Sequence, residues 1–212
     1  MKIKWLGHSC FLLTSNSGVR TLTDPFDEKV GYALPAVEAD IVTTSHGHYD
    51  HSSVDVVKGD FERLDKPGTY EKDGIKITGV ATFHDEENGA KRGNNIIFKF
   101  NIDGVNICHC GDLGHTLSSG QVLEIGDVDV LLVPVGGTYT VDAAGALQVV
   151  KQLKPAVTIP MHYKTEALAF PLDTADKFLK TAGGGTKAGK QEIELDKENL
   201  SMYLGVTVLD YK

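Results

Sequence analysis

The sequence predicts an α/β sandwich built from mixed strands, and three observations support this class. Short apolar or β-branched runs separated by turn residues fill the N-terminal third, a pattern typical of strands. Candidate strands and helices then alternate toward the C-terminus. The composition, 41% hydrophobic and 24% charged in 212 residues, is ordinary for a globular protein. We expect residues 1–212 to form a single domain, because candidate functional residues are spread over most of the chain.

The N-terminal third predicts four strands, at residues 2–6, 10–14, 19–23 and 40–44. The run Asn16-Ser17-Gly18 is a hairpin signal, and Asp24-Pro25 ends the third strand because proline cannot donate to a ladder. Residues 27–39 are predicted to form a loop. Ser52 or Ser53 is expected to cap a short helix that runs to about residue 58.

The rest of the chain alternates strands and helices. Further strands are predicted at residues 74–83, 95–101, 105–110, 128–133, 158–161 and 200–209. Asp103-Gly104 is a strong hairpin signal between two of them. Helices are predicted at residues 118–125, 141–153 and 173–182, where the apolar residues have helical spacing or a capping residue precedes them.

Residues 46–51, with the sequence His-Gly-His-Tyr-Asp-His, predict a metal site. Three imidazoles and one carboxylate directly follow an apolar strand, and these are the nitrogen and oxygen ligands that zinc and its neighbours prefer. The alternative is a solvated turn that is rich in histidine. Four potential ligands in six residues are far more than a turn requires.

Three other residues are placed to join that segment. His84, Asp112 and His162 each lie just past a predicted strand. Taken singly, each has a simpler interpretation, because a lone histidine after a strand is usually a surface residue and a Gly-Asp pair is usually a turn. Four strand ends with the same kind of residue in the same place indicate one site at the rim of a sheet.

These residues resemble the metallo-β-lactamase superfamily over about residues 3–165. The matching elements, in chain order, are Thr23-Asp24-Pro25, residues 46–51, His84, Gly111-Asp112 and Pro160-Met161-His162. The sequence is also similar to a group of Zn-dependent hydrolases related to the ascorbate-6-phosphate lactonases, through Trp5-Leu6-Gly7-His8-Ser9, residues 109–115 and residues 134–137. The resemblance implies a four-layer αββα sandwich, in which helices flank two mixed β-sheets and the metals lie at one sheet edge.

The resemblance also implies a ligand set for two ions, with zinc expected and manganese or iron as alternatives. His46, His48 and His84 would hold the first ion, Asp50, His51 and His162 the second, and Asp112 would bridge them. A metal-bound hydroxide would then attack a small-molecule ester, lactone or phosphoester. Asp50 is therefore expected among the catalytic residues as well as among the ligands.

Other polar residues are candidates for supporting roles. The resemblance makes Asp24 a residue that holds a ligand in place, although an Asp-Pro turn that ends a strand explains it too. His115 could donate a proton to the leaving group, or it could cap a helix or lie at the surface. His8, Tyr139 and Asn94 are candidate substrate contacts, whereas His109 is expected to pack structurally.

The loop at residues 85–95 contains Lys91 and Arg92, the best local candidates for binding a phosphate or carboxylate, although most such residues are simply solvated. Substrate specificity is expected to lie in this loop and in residues 27–39 and 138–142.

Composition narrows the function classes. A formal net charge of −8 disfavours nucleic acid as a partner. We expect a cytoplasmic protein, because no signal-peptide pattern or membrane-spanning run is visible and the three cysteines fit reduced core residues. A small-molecule substrate is expected, and a homo-oligomer stays open.

The alternative functions are a phosphodiesterase or nuclease and an iron-dependent oxidoreductase of the same fold. His48 occupies a position where di-iron relatives usually carry an acid, which favours hydrolytic zinc. Iron-using sulfur dioxygenases keep histidine there, so the motif leaves iron open.

Overall fold

The computed structural model describes residues 1–33 and 35–211. The strands are β1 Lys2–Gly7, β2 Cys10–Thr14, β3 Arg20–Thr23, β4 Val37–Glu38, β5 Ile41–Thr43, β6 Val57–Lys58, β7 Glu62–Leu64, β8 Gly68–Lys72, β9 Ile75–Phe83, β10 Asn94–Ile102, β11 Val105–His109, β12 Val130–Pro134, β13 Val157–Met161, β14 Thr186–Lys187, β15 Glu192–Glu194 and β16 Gly205–Val208. The α-helices are α1 Ser119–Ile125, α2 Ala143–Leu153 and α3 Ala175–Ala182, and short 3₁₀ helices lie at Glu28–Val30, Val54–Val56 and Leu200–Tyr203.

Two mixed sheets form the body of the protein. The six-stranded sheet has the order β15-β1-β2-β3-β5-β7, in which the last three strands run parallel. The eight-stranded sheet has the order β14-β16-β13-β12-β11-β10-β9-β8. Its first five strands run parallel and the remaining pairs are antiparallel. Strands β4 and β6 form a separate parallel pair.

Alternating side chains of the six-stranded sheet enter two different apolar clusters. Trp5 and Ile41 join the main cluster, which also contains side chains of the eight-stranded sheet. Their chain neighbours Leu6 and Val42 join a second cluster. This is the two-residue period of a strand buried on both faces. The predicted sandwich is therefore confirmed, with the main core shared by both sheets.

The layers outside the two sheets differ. Helix α1 contacts β9, α2 contacts β12, and α3 contacts β13 and β16, all in the eight-stranded sheet. Within the described residues, the second cluster covers the six-stranded sheet with loop and 3₁₀ side chains such as Phe26, Val30, Tyr32 and Leu168. None of the described helices has the length and apolarity needed to cross a bilayer.

Most predicted elements are found within a residue or two of their expected bounds. Helix α1 starts after Ser118, whose hydroxyl accepts from the Gln121 amide in a capping box. Asp142 caps α2 by accepting from the Gly145 amide at 2.9 Å. Both helices therefore begin at a residue whose side chain caps the first turn.

Two predicted elements were wrong in type. The helix expected up to residue 58 is only the 3₁₀ turn Val54–Val56, because the next residues pair as β6 with β4. Ser53 makes no side-chain cap and instead donates to the Tyr49 carbonyl at 2.7 Å. Residues 200–209 begin with the 3₁₀ helix Leu200–Tyr203, and only Gly205–Val208 is a strand.

Candidate metal centre

Four strand ends bring the predicted ligands together. Strands β9, β11 and β13 run in the same direction, so their carboxyl ends meet at one edge of the eight-stranded sheet. His84, Asp112 and His162 follow these strands. Strand β5 of the other sheet delivers residues 46–51 to the same place. The predicted ligands therefore meet at one edge, as expected from their positions after strands, and this edge lies where the two sheets meet.

Asp112 is the centre of the cluster. One of its oxygens, Oδ2, lies 3.2 Å from Nε2 of each of His51, His84 and His162 and 4.0 Å from Nε2 of His46. The Asp112 side chain is only 3% exposed. A single carboxylate oxygen thus faces four imidazoles in a site that excludes most water.

The ligand atoms fall into three overlapping groups, each with its members within 4.8 Å of one another. The groups are His46, His48 and His84; His8, Asp50, His51 and His162; and His46, His51 and Asp112. The first group has the same members as the expected first ion's ligands. The second group contains the expected ligands of the second ion and adds His8.

Asp24 determines which nitrogen of His51 faces the cluster. Asp24 Oδ2 lies 2.8 Å from His51 Nδ1, and because a carboxylate only accepts, Nδ1 carries the hydrogen. In the neutral ring, Nε2 is then a lone pair that faces Asp112 Oδ2 at 3.2 Å. Two lone pairs at this distance repel each other unless a proton or a cation lies between them. His51 Nε2 accordingly has no hydrogen-bond partner among the described residues.

The same carboxylate orients His46 through Ser45. The Ser45 hydroxyl donates to Asp24 Oδ2 at 2.6 Å, so its remaining contact with His46 Nδ1, at 3.0 Å, must be one that it accepts. His46 Nδ1 therefore carries the hydrogen, and Nε2 presents a lone pair that faces His48 Nδ1 at 3.0 Å. Asp24 is fully buried and holds a left-handed φ of 42°, which is strained for a non-glycine residue before proline.

The pKa shifts differ among the imidazoles that surround the carboxylates. Burial, followed by the charge of His51, lowers the pKa of His46 to about 3. Burial opposes ionisation of Asp112, but His162 and His51 outweigh it and hold its pKa well below the ordinary value. Burial alone would lower the pKa of His51, yet Asp112 and Asp24 raise it well above its usual range. A cation between His51 and Asp112 would take the place of the proton that these carboxylates attract.

These residues fit a divalent metal. The described cluster combines ring nitrogens with carboxylate oxygens, the two kinds of donor that bind such an ion once deprotonated. Asp112 Oδ1 and His51 Nε2 are buried polar atoms without a hydrogen-bond partner in the described ranges. Buried atoms of this kind are costly unless a ligand pairs with them.

Asn95 positions Asp112, a role that sequence reasoning missed. Its side-chain oxygen accepts from the Asp112 amide at 2.9 Å, and its side-chain nitrogen donates to Thr82 Oγ1 and the Cys110 carbonyl at 2.8 and 3.0 Å. The sequence analysis named the neighbouring Asn94 instead. Strand alternation gave no signal here, because the next two residues, Ile96 and Ile97, are both buried.

His8 lies inside the cluster. Its Nε2 is 3.3 Å from Asp50 Oδ2, and its ring centroid is 4.3 Å from that of His162. Burial lowers the pKa of His8 to about 4, and the pKa of Asp50 is lowered by the His8 contact against the opposing effect of burial. His8 is fully buried, so it contacts a proposed ligand rather than open solvent.

His115 and His109 bond mainly to the backbone. His115 Nε2 accepts from the Phe83 amide at 3.1 Å, and Nδ1 faces the Thr116 carbonyl at 2.7 Å. Both ring nitrogens are therefore occupied, and the structure does not bring His115 to the ligand cluster as the proton-donor hypothesis requires. His109 Nε2 faces the Ser9 carbonyl at 2.8 Å, and Nδ1 accepts from the Gly111 amide at 3.2 Å, which fits a structural role.

A cavity of about 520 Å³ opens onto the ligands, and we call it the metal pocket. Five predicted ligands line it, together with Arg92, Tyr139 and Phe170; these ligands are His48, Asp50, His84, Asp112 and His162. Tyr139 is thus at the site, as a substrate contact must be. Asn94 lines a second depression beside His46, which shares His48 and Arg92 with the metal pocket. No described residue of the loop at 27–39 lines the metal pocket.

Comparison with known proteins places this geometry in context. The family model described as the beta-lactamase superfamily domain matches residues 2–162. A UPF0173 metal-dependent hydrolase from Thermoplasma acidophilum is 34% identical, over 92% of this chain and 96% of that protein. A solved structure from Thermotoga maritima, assigned to the Zn-dependent hydrolases of the metallo-β-lactamase superfamily, is 45% identical with a TM-score of 0.82 and covers 98% of this chain and 97% of its own.

A more distant solved structure is similar to this chain in fold only. Igni18, a metallo hydrolase from Ignicoccus hospitalis, is 23% identical with a TM-score of 0.63, over 92% of this chain and 99% of that one. At this identity the likeness concerns architecture and not chemistry. Together with the Thermotoga structure, it confirms the predicted metallo-β-lactamase fold.

Proposed function

This chain belongs to the β-lactamase superfamily and is a metal-dependent hydrolase, and we propose that it uses two zinc ions to hydrolyse an ester, lactone or phosphoester bond in a small molecule. The observation that carries the proposal is the position of Asp112. Its Oδ2 lies within 3.2 Å of imidazoles from both expected ligand sets, His84 on one side and His51 and His162 on the other. A carboxylate so placed can bridge two ions.

The described residues would fill the metal-binding and ligand-positioning roles that a metal-dependent hydrolase requires. His46, His48 and His84 would hold one ion, and Asp50, His51 and His162 the other, with Asp112 between them. A zinc ion held there would supply a nucleophile by lowering the pKa of bound water to about 7, and it would polarise the substrate oxygen. Asp24 orients His51 and His46, while Asn95 orients Asp112. Ordering the ligands in advance reduces the reorganisation that catalysis would otherwise require.

Zinc is proposed because most of the candidate donors are histidines. Imidazole nitrogen and carboxylate oxygen suit zinc, and they also suit manganese and iron. The free cysteines Cys10, Cys108 and Cys110 are buried and belong to none of the described ligand groups. Histidine therefore supplies most donors, which is common in catalytic zinc sites.

A small substrate is favoured by the pocket and the charge. A volume of about 520 Å³ is in the range of small-molecule sites. A formal net charge of −8 repels a polyphosphate backbone, which disfavours the nuclease alternative.

Elemental analysis of untagged protein, purified without chelator, tests the proposal together with ester and phosphoester assays. We expect about two equivalents of zinc per chain, and we expect His48→Ala and Asp112→Asn to lose metal and hydrolysis together. His115→Ala is the matched control, because it removes an imidazole outside the cluster and should retain both.

Two results would count against the proposal, and a third would revise the role of His115. Unchanged metal content and turnover in His48→Ala and Asp112→Asn would remove the ligand assignment. About two equivalents of iron with redox activity would point to the oxidoreductase alternative instead. A loss of turnover in His115→Ala at full metal content would restore His115 as a catalytic candidate.

A further inference from the structure

Arg92 lines the metal pocket and forms no ion pair with any described acidic residue. Among the three arginines, Arg20 pairs with Glu38 at 2.8 Å and Arg63 pairs with Asp65 at 3.4 Å. Arg92 has no carboxylate within 4 Å among the described residues, although it lies in a protein with an excess of acidic groups. Its guanidinium charge is therefore available to a ligand.

Two contacts leave part of that guanidinium open. Nη2 donates to the Thr138 carbonyl at 3.1 Å, and the guanidinium carbon lies 5.8 Å from the centre of the Tyr139 ring. A guanidinium has five N–H donors, so one hydrogen bond to the protein leaves several for an anion. The contacts with residues 138 and 139 orient the side chain without neutralising it.

The backbone of Arg92 is held in place by Asp85. The Asp85 carboxylate accepts from the amides of Glu87, Gly89, Lys91 and Arg92, at 2.7 to 3.0 Å. Asp85 directly follows the ligand His84. The Arg92 backbone is therefore tied to a ligand-bearing turn, and its distance from the metal site does not depend on a free loop.

Aromatic side chains supply an apolar wall beside this charge. Tyr139 and Phe170 both line the pocket and meet edge to face, with ring centroids 6.3 Å apart. The Phe170 ring also lies 5.6 Å from the His8 ring. A molecule bound beside the proposed metal ligands would therefore contact both the Arg92 guanidinium and an apolar surface.

We propose that Arg92 forms an oxyanion-binding subsite, and that the substrate carries a carboxylate or phosphate group attached to an apolar body. This deepens the proposed function and rests on it for the position of the reacting bond. A guanidinium recognises both oxyanions through paired N–H donors. In a chain with net charge −8, such a local cation is what selects an anionic substrate over a neutral one.

Calorimetric titration of the zinc-loaded protein tests the subsite directly. The probes are phenylphosphonate, phenylacetate and the neutral phenylacetamide, which share an aromatic body. We expect the anions to bind at least about tenfold more tightly than the amide, and Arg92→Gln to remove most of that difference. The anion that loses more affinity in Arg92→Gln identifies the preferred oxyanion.

Lys91→Gln is the matched control, because it removes the same charge one residue away. Lys91 is exposed, pairs with Glu87 and does not line the metal pocket. We expect it to bind all three probes as the unmodified protein does. Zinc content is measured for each variant, so that a loss of probe binding is not mistaken for a loss of metal.

Two results would overturn the subsite. If Arg92→Gln binds both anions as tightly as the unmodified protein, the metals alone hold them. If the unmodified protein prefers neither anion to the amide, no oxyanion subsite exists. Failure of the proposed function is a different result, namely zinc-loaded protein that hydrolyses no ester or phosphoester while the Arg92-dependent binding persists.

Discussion

Asp24 controls two proposed ligands through one carboxylate. Its Oδ2 accepts from Ser45 and from His51 Nδ1, and the Ser45 hydroxyl in turn accepts from His46. Asp24→Asn would replace an acceptor by an amide that can also donate, so His51 would no longer be held in one tautomer. We expect zinc affinity to fall by about 10- to 100-fold, measured by competition with a chromogenic chelator.

The matched control for Asp24 is Asp55→Asn. It makes the same chemical change on an exposed residue of the 3₁₀ helix Val54–Val56 that belongs to none of the described ligand groups. We expect its zinc affinity to equal that of the unmodified protein. Equal affinity in both variants would show that Asp24 only ends a strand.

Asn95 positions a proposed ligand, whereas the adjacent Asn94 is exposed. Comparing substitutions at these two residues therefore tests the positioning role. Asn95→Ala would leave buried partners at Thr82, Cys110 and Asp112 without their hydrogen bonds. We expect the free energy of unfolding to fall by about 2–4 kcal/mol in urea titrations, with weaker zinc binding. Asn94→Ala changes an exposed residue and should cost less than about 0.5 kcal/mol. Equal losses in the two variants would contradict the assigned role of Asn95.

Asn94 and Asn95 show which features of single residues cannot be predicted from the sequence. The ligand candidates were predictable because each follows an apolar strand, and strand ends of one direction meet at one edge. The choice between Asn94 and Asn95 depends on register, since a shift of one residue turns a side chain to the other face. The proton-donor hypothesis for His115 is unsupported for another reason. Nothing in the sequence around His115 indicated that its Nε2 would accept a hydrogen bond from the Phe83 backbone amide.

At the scale of elements, the loop after β9 is organised by one carboxylate. Asp85 accepts four backbone amides, and these hydrogen bonds lower its pKa to about 2 against the opposing effect of burial. Asp85→Ala would release all four amides. We expect hydrogen exchange in residues 86–93 to accelerate at least about tenfold at neutral pH, measured by mass spectrometry, while the β12 amides stay protected.

Glu86→Ala is the control for that experiment. It removes an exposed carboxylate from the same loop, and its side chain accepts none of these amides. Exchange in residues 86–93 should then be unchanged. Acceleration in both variants would mean that the loop is held by something other than Asp85.

Edge elements were the least predictable part of the fold. Strands β7 and β8 were missed, because their residues are mostly exposed and carry charged or polar side chains. The helix expected after Ser53 gave way to the β4–β6 pair, which is a contact between residues 20 positions apart. Local propensity cannot anticipate such pairing, whereas buried strands such as β12 are visible as continuous apolar runs.

At the scale of the whole molecule, the site joins the two sheets. Residues 46–51 leave the six-stranded sheet, while His84, Asp112 and His162 leave the eight-stranded one. Metal bound by both groups would bind the folded chain and not the unfolded one, so it would stabilise the native state in proportion to its affinity. Without metal, the stability of the native state depends on how the same buried groups titrate.

The histidine pKa shifts determine whether the stability of the metal-free protein rises or falls with pH. Burial lowers the pKa of His8 to about 4 and that of His46 to about 3, so both are neutral in the folded state where the unfolded chain would bind protons. Their contribution to stability is present above pH 6.5 and is lost as the pH falls toward these values. His51 has a raised pKa, so its effect changes only above pH 6.5. Asp24 and Asp112 have lowered pKa values and act only below about pH 4.

Between pH 6.5 and pH 4.5, therefore, the histidines with lowered pKa values make the folded protein less stable as the pH falls. We expect metal-free protein to lose stability on acidification through this range, by up to about 1.4 kcal/mol per pH unit for each such histidine. Urea titrations of chelator-dialysed protein at pH 7, 6 and 5 measure this slope, and His8→Gln should make it shallower. A stability that stays constant from pH 6.5 to pH 5 would contradict the prediction. Adding zinc should raise the unfolding midpoint most at pH 7, because protons compete with metal for the same nitrogens at lower pH.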